Sequence, residues 1–481
     1  MTNPPRPRRK GDRPRDAAPP REAAARAATM SDATSDATPG APGDPDAAPA
    51  RDKPVRPHAE RIEALRLLTG VLEERRPLPD LAASAPDLPP SIRARALHRA
   101  SETLRRLGQA DAVLSRYVRR PPPPPARDAL RLATVELLHL DEAPHAAADG
   151  AVAAVRAQPG GERLTGLVNA VARRVAAEGA AAWAARDPER DGMPNWMRGR
   201  LSSAWGAKAV RGIAAAHLLA PPADLTPRDP AGAADLAARL DAELLPTGSL
   251  RLRGRAQLTA LPGFETGEWW VQDAAAALPA RMLGAVAGLR VLDLCAAPGG
   301  KTLQLAAAGA HVTALDISGP RLARLRENLA RTGLSAQILA DDALHWTPEA
   351  PFDAILLDAP CSATGTGRRH PDMPHLRADD LDLAALTALQ DRLLDRAFGW
   401  LAPGGRMVFA TCSLLPEEGE RRAESFLART PAATALPADP QALGIPPEWV
   451  SAAGFLRTRP DFWPQSGGLD GFFAAGFLNR P

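Results

Sequence analysis

Tyrosine and cysteine are scarce in this chain: one Tyr and three Cys in 481 residues. The three cysteines, Cys295, Cys361 and Cys412, all fall in the second half. An odd number so confined argues against a disulfide framework and for a reducing, cytoplasmic compartment. Long apolar runs are missing as well. No stretch of 18 apolar residues exists, so no membrane span is expected. The N-terminus lacks the apolar core of a secretory signal. A large excess of one charge is also absent. The formal net charge of +3 permits nucleic-acid binding without demanding it. No metal site is expected. What is abundant is Ala and Pro, with 50 Pro and 45% hydrophobic residues, enough for cores in two to four domains. Ala-richness makes helix propensity weak testimony, so periodicity carries more weight.

Residues 291–302, VLDLCAAPGGKT, organise the rest. Val291 to Leu294 reads as a buried strand. Cys295, Ala296, Ala297 and Pro298 form a turn of small residues, and Gly299-Gly300 lets backbone approach a ligand. Lys301-Thr302 opens a helix. A strand turning into a helix over small residues is a nucleotide-shaped site. A P-loop requires Gly where this chain has Cys295. A methyl-donor site predicts an acidic residue ending the next strand, about 20 positions on. Asp316 ends the strand His311–Asp316 and lies 23 residues after Asp293. An ordinary Gly-rich turn of an α/β protein remains the bland alternative.

Residues 1–57 have almost no large apolar side chain and are expected to be a disordered tail with a basic cluster, Arg6 to Lys10. Residues 58–180 show helical periodicity at Ile62, Leu65, Leu68 and Leu72, over 92–107 and 110–118, and again over 126–138, 146–157 and 164–177. The five-proline run 121–125 reads as a loop or stiff spacer. Residues 127–156 and the segment GLVNAVARRV, with Leu137-Leu138, Pro144-His145-Ala146 and Asn169, resemble the NusB family, which implies RNA binding. Residues 181–275 suggest a small α/β, RRM-like module: a strand at 223–228, a helix at 231–244 and strand character at 250–260. Arg228, Arg251, Arg253 and Arg255 are candidates to face RNA there. Trp269-Trp270 reads as packing, followed by a helix over 274–283.

Residues 276–481 continue a strand–helix rhythm. Helices are expected at 321–331 and 381–401, and strands at 336–340, 352–358 and 406–411 after a Pro-Gly-Gly turn. Such alternation predicts a parallel, doubly wound Rossmann-like sheet. Cys361 and Cys412 then follow two neighbouring strands and face one crevice. A thiolate there has a chemical use. Cytosine C5 is a poor nucleophile until a thiolate adds to C6. Spacing alone does not rank the two cysteines. Asp358, if protonated, would donate to cytosine N3.

DLCAAPGGKT, LDAPCSATGTGRRHPD and FATCSLLPEE match the motifs of the RNA 5-methylcytosine methyltransferases. With the NusB-like front, residues 60–481 resemble the Sun/RsmB-type rRNA cytosine-C5 methyltransferase family. The resemblance implies Cys412 as nucleophile, Cys361 in product release, and S-adenosylmethionine as methyl donor. It places the donor against Cys295, Ala296, Ala297, Pro298, Gly299, Gly300, Lys301, Asp316, Asp342 and Asp358. It implies 5-methylcytosine formation in small-subunit (16S) rRNA, by a protein expected to be monomeric. An RNA-binding factor with an inactive methyltransferase-like domain is the rival reading.

Overall fold

Apolar residues at three- and four-residue steps fold the front of the chain into helices, which bury Leu65, Leu68, Leu104 and Leu130. The computed structural model describes residues 56–84, 88–254, 256–377 and 381–480. The tail to residue 55, with its basic cluster, and Arg255 lie outside these. The helices are α1 (Ala59–Leu72), α2 (Leu78–Ala83), α3 (Pro90–Arg105), α4 (Leu107–Leu114), α5 (Pro124–Leu138), α6 (Pro144–Arg156) and α7 (Thr165–Ala184). The proline run is only partly a spacer. Pro124 and Pro125 open α5, because the first helical turn has no partner for the amide that proline lacks. The helix expected at 110–118 is α4, which starts at Leu107 after a one-residue break and ends at Leu114.

A short α8 (Pro188–Asp191) leads to α9 (Asn195–His217), kinked at Gly206. Next come β1 (Asp224–Pro227), α10 (Ala233–Arg239), β2 (Ala242–Leu244), β3 (Leu250–Leu252) and β4 (Trp269–Val271). These strands form an antiparallel sheet in the order β2-β3-β1-β4. The helix expected over 231–244 is therefore two elements. Asp241 takes a positive φ of 47°, ending the helical path, and Ala242–Leu244 pairs with β3. Arg251 does not face RNA. It is 3% exposed and binds both carboxylate oxygens of Asp224 at 2.7 Å.

The C-terminal elements are α11 (Leu278–Met282), β5 (Arg290–Leu294), α12 (Gly300–Ala307), β6 (His311–Asp316), α13 (Gly319–Thr332), β7 (Gln337–Ala340) and β8 (Phe352–Asp358). They continue with α14 (Met373–Leu376), α15 (Leu383–Gly399), β9 (Leu401–Thr411), α16 (Glu420–Arg429), β10 (Ala433–Leu436), α17 (Pro440–Leu443), β11 (Leu456–Arg457) and β12 (Phe473–Asn479). The α11 helix is shorter than expected, since Pro279 suits only a first turn. The Pro-Gly-Gly turn lies inside β9, with Gly404 at a φ of 76°.

The sheet order is β10-β12-β9-β8-β5-β6-β7. From β7 to β9 it is parallel, but β12 runs antiparallel to both its neighbours, β9 and β10, so the sheet is mixed rather than wholly parallel. Successive residues of β8 feed opposite cores. Ile355 and Leu357 pack with Leu394 and Phe426 on one face; Ala354 and Leu356 pack with Leu278 and Leu305 on the other. The chain reverses its direction of growth between β5 and β8. A crevice at the carboxyl ends of those two strands follows from this topology.

Candidate active site

Cys295 leaves β5 with a φ of 58°, a conformation L-residues rarely adopt. Ala296 N–H donates to Leu315 O at 3.1 Å, and Ala297 N–H to Asp316 Oδ2 at 3.0 Å. Gly299 caps α12 with a φ of 107°, and a Cβ there would lie 2.3 Å from Leu325 Cδ1. Only glycine fits. Asp316 also accepts from Ser318 N–H at 2.8 Å, so it laces the turns after β5 and β6 together. Asp342 lies two residues beyond β7 and accepts from Leu344 N–H at 2.9 Å. Burial pushes the Cys295 thiol up, with the charges of Asp316, Asp358 and Asp293 adding to the effect. It is not a nucleophile.

Lys301 Nζ lies 2.7 Å from Asp358 Oδ2 and 5.2 Å from the centre of the Phe472 ring. Burial opposes its charge, but Asp358, then Asp293 and Cys412, hold its pKa above the ordinary lysine value. The lysine is thus a fixed cation between β5 and β8. A P-loop lysine would instead point at phosphates. Lys301 occupies Asp358 Oδ2, so contact of that oxygen with a base requires Lys301 to move first.

Cys361 and Cys412 follow β8 and β9, which pair in parallel with Asp358 opposite Ala410. Their sulfurs lie 3.4 Å apart. The hydrogen bond to Cys412, burial, and the charges of Cys412 and Glu418 all raise the Cys361 pKa. Either sulfur can donate to the other. That contact was invisible in the spacing of the two residues.

Around the thiols stands a cluster that sequence reasoning did not single out. Ser362, Thr364, Ser413 and Glu418 are buried and mutually bonded. Glu418 sits inside the quoted FATCSLLPEE stretch, where its two acidic residues were the only signal. The loop after Cys361 is pinned further along. Arg368 binds Asp273 and Asp470 at 3.3 Å, and Arg369 binds Asp273 at 2.6 Å. The same loop meets the front helices: Leu78 N–H donates to Asp372 at 2.8 Å, and His375 Nε2 lies 2.9 Å from Leu104 O. The helical region thus buttresses the segment that carries Cys361.

Comparison with known proteins bears on this geometry. The model of the 16S rRNA methyltransferase RsmB/F family matches residues 280–478, and that of the NusB family matches residues 58–177. Ribosomal RNA small subunit methyltransferase B of Xanthomonas campestris is 38% identical over 87% of this chain and 97% of its own.

The chain belongs to the RsmB/F family.

The enzyme of the same description from Klebsiella pneumoniae is 40% identical over 71% of this chain and 84% of its own. The crystal structure of PH0851 shares the fold, with a TM-score of 0.68 at 22% identity, covering 88% of this chain and 99% of that one. RsmB/F proteins, this chain included, are S-adenosylmethionine-dependent methyltransferases. The residues present fit that donor. Only small side chains and glycines line the turn after β5, and carboxylates Asp316, Asp342 and Asp358 end or follow three parallel strands beside it. Among the described residues, no helix is long and apolar enough to cross a membrane.

Proposed function

We propose that this RsmB/F protein forms 5-methylcytosine in small-subunit (16S) rRNA, in the cytoplasm and as a monomer. The proposed division of labour is a NusB-like RNA-binding domain at 58–180, a second RNA-contacting module at 181–275 and the methyltransferase domain at 276–481, behind the tail of residues 1–57. The observation that carries the chemistry is the sulfur pair at 3.4 Å, at the carboxyl ends of the paired strands β8 and β9.

Cys412 adds to C6 of the target cytosine, forming a C–S bond while the C5–C6 π electrons shift toward C5 and N3. S-adenosylmethionine supplies a methyl group on a sulfonium. The enamine-like C5 takes that methyl group. Loss of the C5 proton to a base then restores the double bond and expels the Cys412 thiolate. Cys361 acts in this release. Asp316 binds the ribose hydroxyls and Asp342 the adenine amino group. The Cys295–Lys301 turn holds the methionine end. Asp358 contacts the donor and cytosine N3, and Lys301 keeps cationic charge beside Cys412.

The test is adduct trapping. Cys412→Ala is expected to give neither methylated RNA nor a covalent complex. Cys361→Ala is expected to give a protein–RNA band that survives denaturing electrophoresis and requires Cys412. A band from Cys412→Ala, with none from Cys361→Ala, would reverse the roles. Titration calorimetry with S-adenosylmethionine and with ATP checks the nucleotide site; binding of ATP alone defeats the proposal. Bisulfite sequencing of 16S rRNA from a deletion strain identifies the cytosine.

A further inference from the structure

Glu418 is 0% exposed, on a 3₁₀ turn (Pro416–Glu418) between β9 and α16. It touches both thiol loops at once. Oε1 accepts from Ser362 N–H at 2.9 Å and from Gln390 Nε2 at 3.1 Å. Oε2 accepts from Ser413 Oγ at 2.6 Å and from Ser362 Oγ. Ser362 directly follows Cys361, and Ser413 directly follows Cys412. All four donors are neutral, so no contact within hydrogen-bond reach cancels the charge. A buried carboxylate in that setting acts on whatever titrates beside it. Gln390, 0% exposed on α15, is in turn fixed by Pro360 O at 2.9 Å, on the chain just before Cys361.

We propose that Glu418 is a positioning residue for the methyl-transfer reaction: it clamps the Cys361 and Cys412 loops at their working separation. The inference rests on the two-thiol reading above, but part of its test does not. A carboxylate bridging the residues after each cysteine fixes both sulfurs through one rigid link. Its charge also adds to the Cys412 hydrogen bond and burial in raising the Cys361 pKa.

Two substitutions separate charge from reach. Glu418→Gln keeps the length and removes the charge, and the serine hydroxyls can turn to bond the amide. Glu418→Asp keeps the charge and shortens the reach by one methylene. Iodoacetamide labelling of the full chain, followed residue by residue with peptide mass mapping across pH, reads the thiols without RNA. Glu418→Gln is expected to shift the Cys361 labelling midpoint down by a pH unit or more. Glu418→Asp is expected to leave that midpoint nearer wild type. Both are expected to bind S-adenosylmethionine normally, to lower turnover at least tenfold, and to accumulate the Cys412-dependent RNA adduct. If Cys361→Ala traps no adduct while the Glu418→Gln labelling shift appears, the release reading fails and the clamp stands. An unshifted Cys361 midpoint with wild-type turnover overturns the clamp. If Glu418→Gln does not fold, Ser362→Ala, which removes one link of the clamp and leaves the carboxylate, carries the turnover and adduct readouts with the same expected directions.

Discussion

Two buried carboxylates, one in each half of the molecule, show different uses of the same group. Glu136 of α5, 1% exposed, lies 3.0 Å from Arg61 Nε and 2.6 Å from Arg99 Nε. Glu142 pairs with the same two arginines. In the front helices, buried charge is met by opposite charge, and the result ties α1, α3 and α5 together. Glu418 is as deeply buried, but its bonded partners are two hydroxyls and two N–H groups. Its charge adds to the Cys412 hydrogen bond and burial in raising the Cys361 pKa. Matched burial makes a scaffold; the Glu418 carboxylate bridges two reactive loops.

The sharpest test of that contrast is stability. Glu136→Ala leaves two guanidinium groups buried with only the half-buried Glu142 between them, at a cost of about 3–5 kcal/mol. Glu418→Gln preserves the hydrogen-bonded shape and is expected to cost about 1 kcal/mol in folding while losing turnover. Urea unfolding of both variants, alongside a methylation assay, checks the pair. If Glu418→Gln destabilises the fold more than Glu136→Ala, the contrast breaks.

Asp293 extends the comparison to a third buried carboxylate. Thr302 Oγ1 donates to its Oδ2 at 2.5 Å, and its Oδ1 has no partner. Burial pushes its carboxyl up to about 7, against the pull of Thr302 and Lys301. A carboxyl raised above its unfolded value of about 3.9 contributes its full stability below pH 4. That contribution is lost as pH rises to about 7 and stays lost beyond. The loss is on the order of 2–4 kcal/mol across that window. Asp293→Asn is expected to match wild type near pH 4 and to exceed it at pH 8 by a similar amount. Unfolding midpoints at the two pH values, without methyl donor, decide it. A pH-independent difference would show that Asp293 is not the titrating group.

The strands of the catalytic sheet were legible because each joins an apolar run to a Gly, Pro or Cys turn, as at Leu294-Cys295 and Asp358-Ala359-Pro360. The antiparallel β12 was not, since FAAGFLN carries no feature that sets strand direction. Direction there is fixed by pairing with β9, which only the folded chain reveals. The thiol pair was legible as two strand ends, but the Glu418 bridge between its loops was not, because its partners Ser362, Gln390 and Ser413 meet it only in the folded chain. Arg251 misled for a related reason. An arginine on a short strand looks solvated until Asp224, 27 residues away, closes on it.

The smallest expected effect concerns the donor itself. Asp316 ends β6, and at 3% exposure it accepts from the Ala297 and Ser318 amides. Asp316→Ala therefore weakens two turns as well as any ribose contact, and reduced S-adenosylmethionine affinity alone does not separate the two. A double-mutant cycle does. Loss of a charge-assisted bond is worth about 1.5–3 kcal/mol. Titrations of wild type and Asp316→Ala with S-adenosylhomocysteine and with its 2′,3′-dideoxy analogue give the coupling. If Asp316 holds the ribose hydroxyls, the dideoxy analogue already lacks that bond, and the substitution then adds only the cost of loosened turns. Additive losses would show that Asp316 supports the loop while another residue binds the ribose.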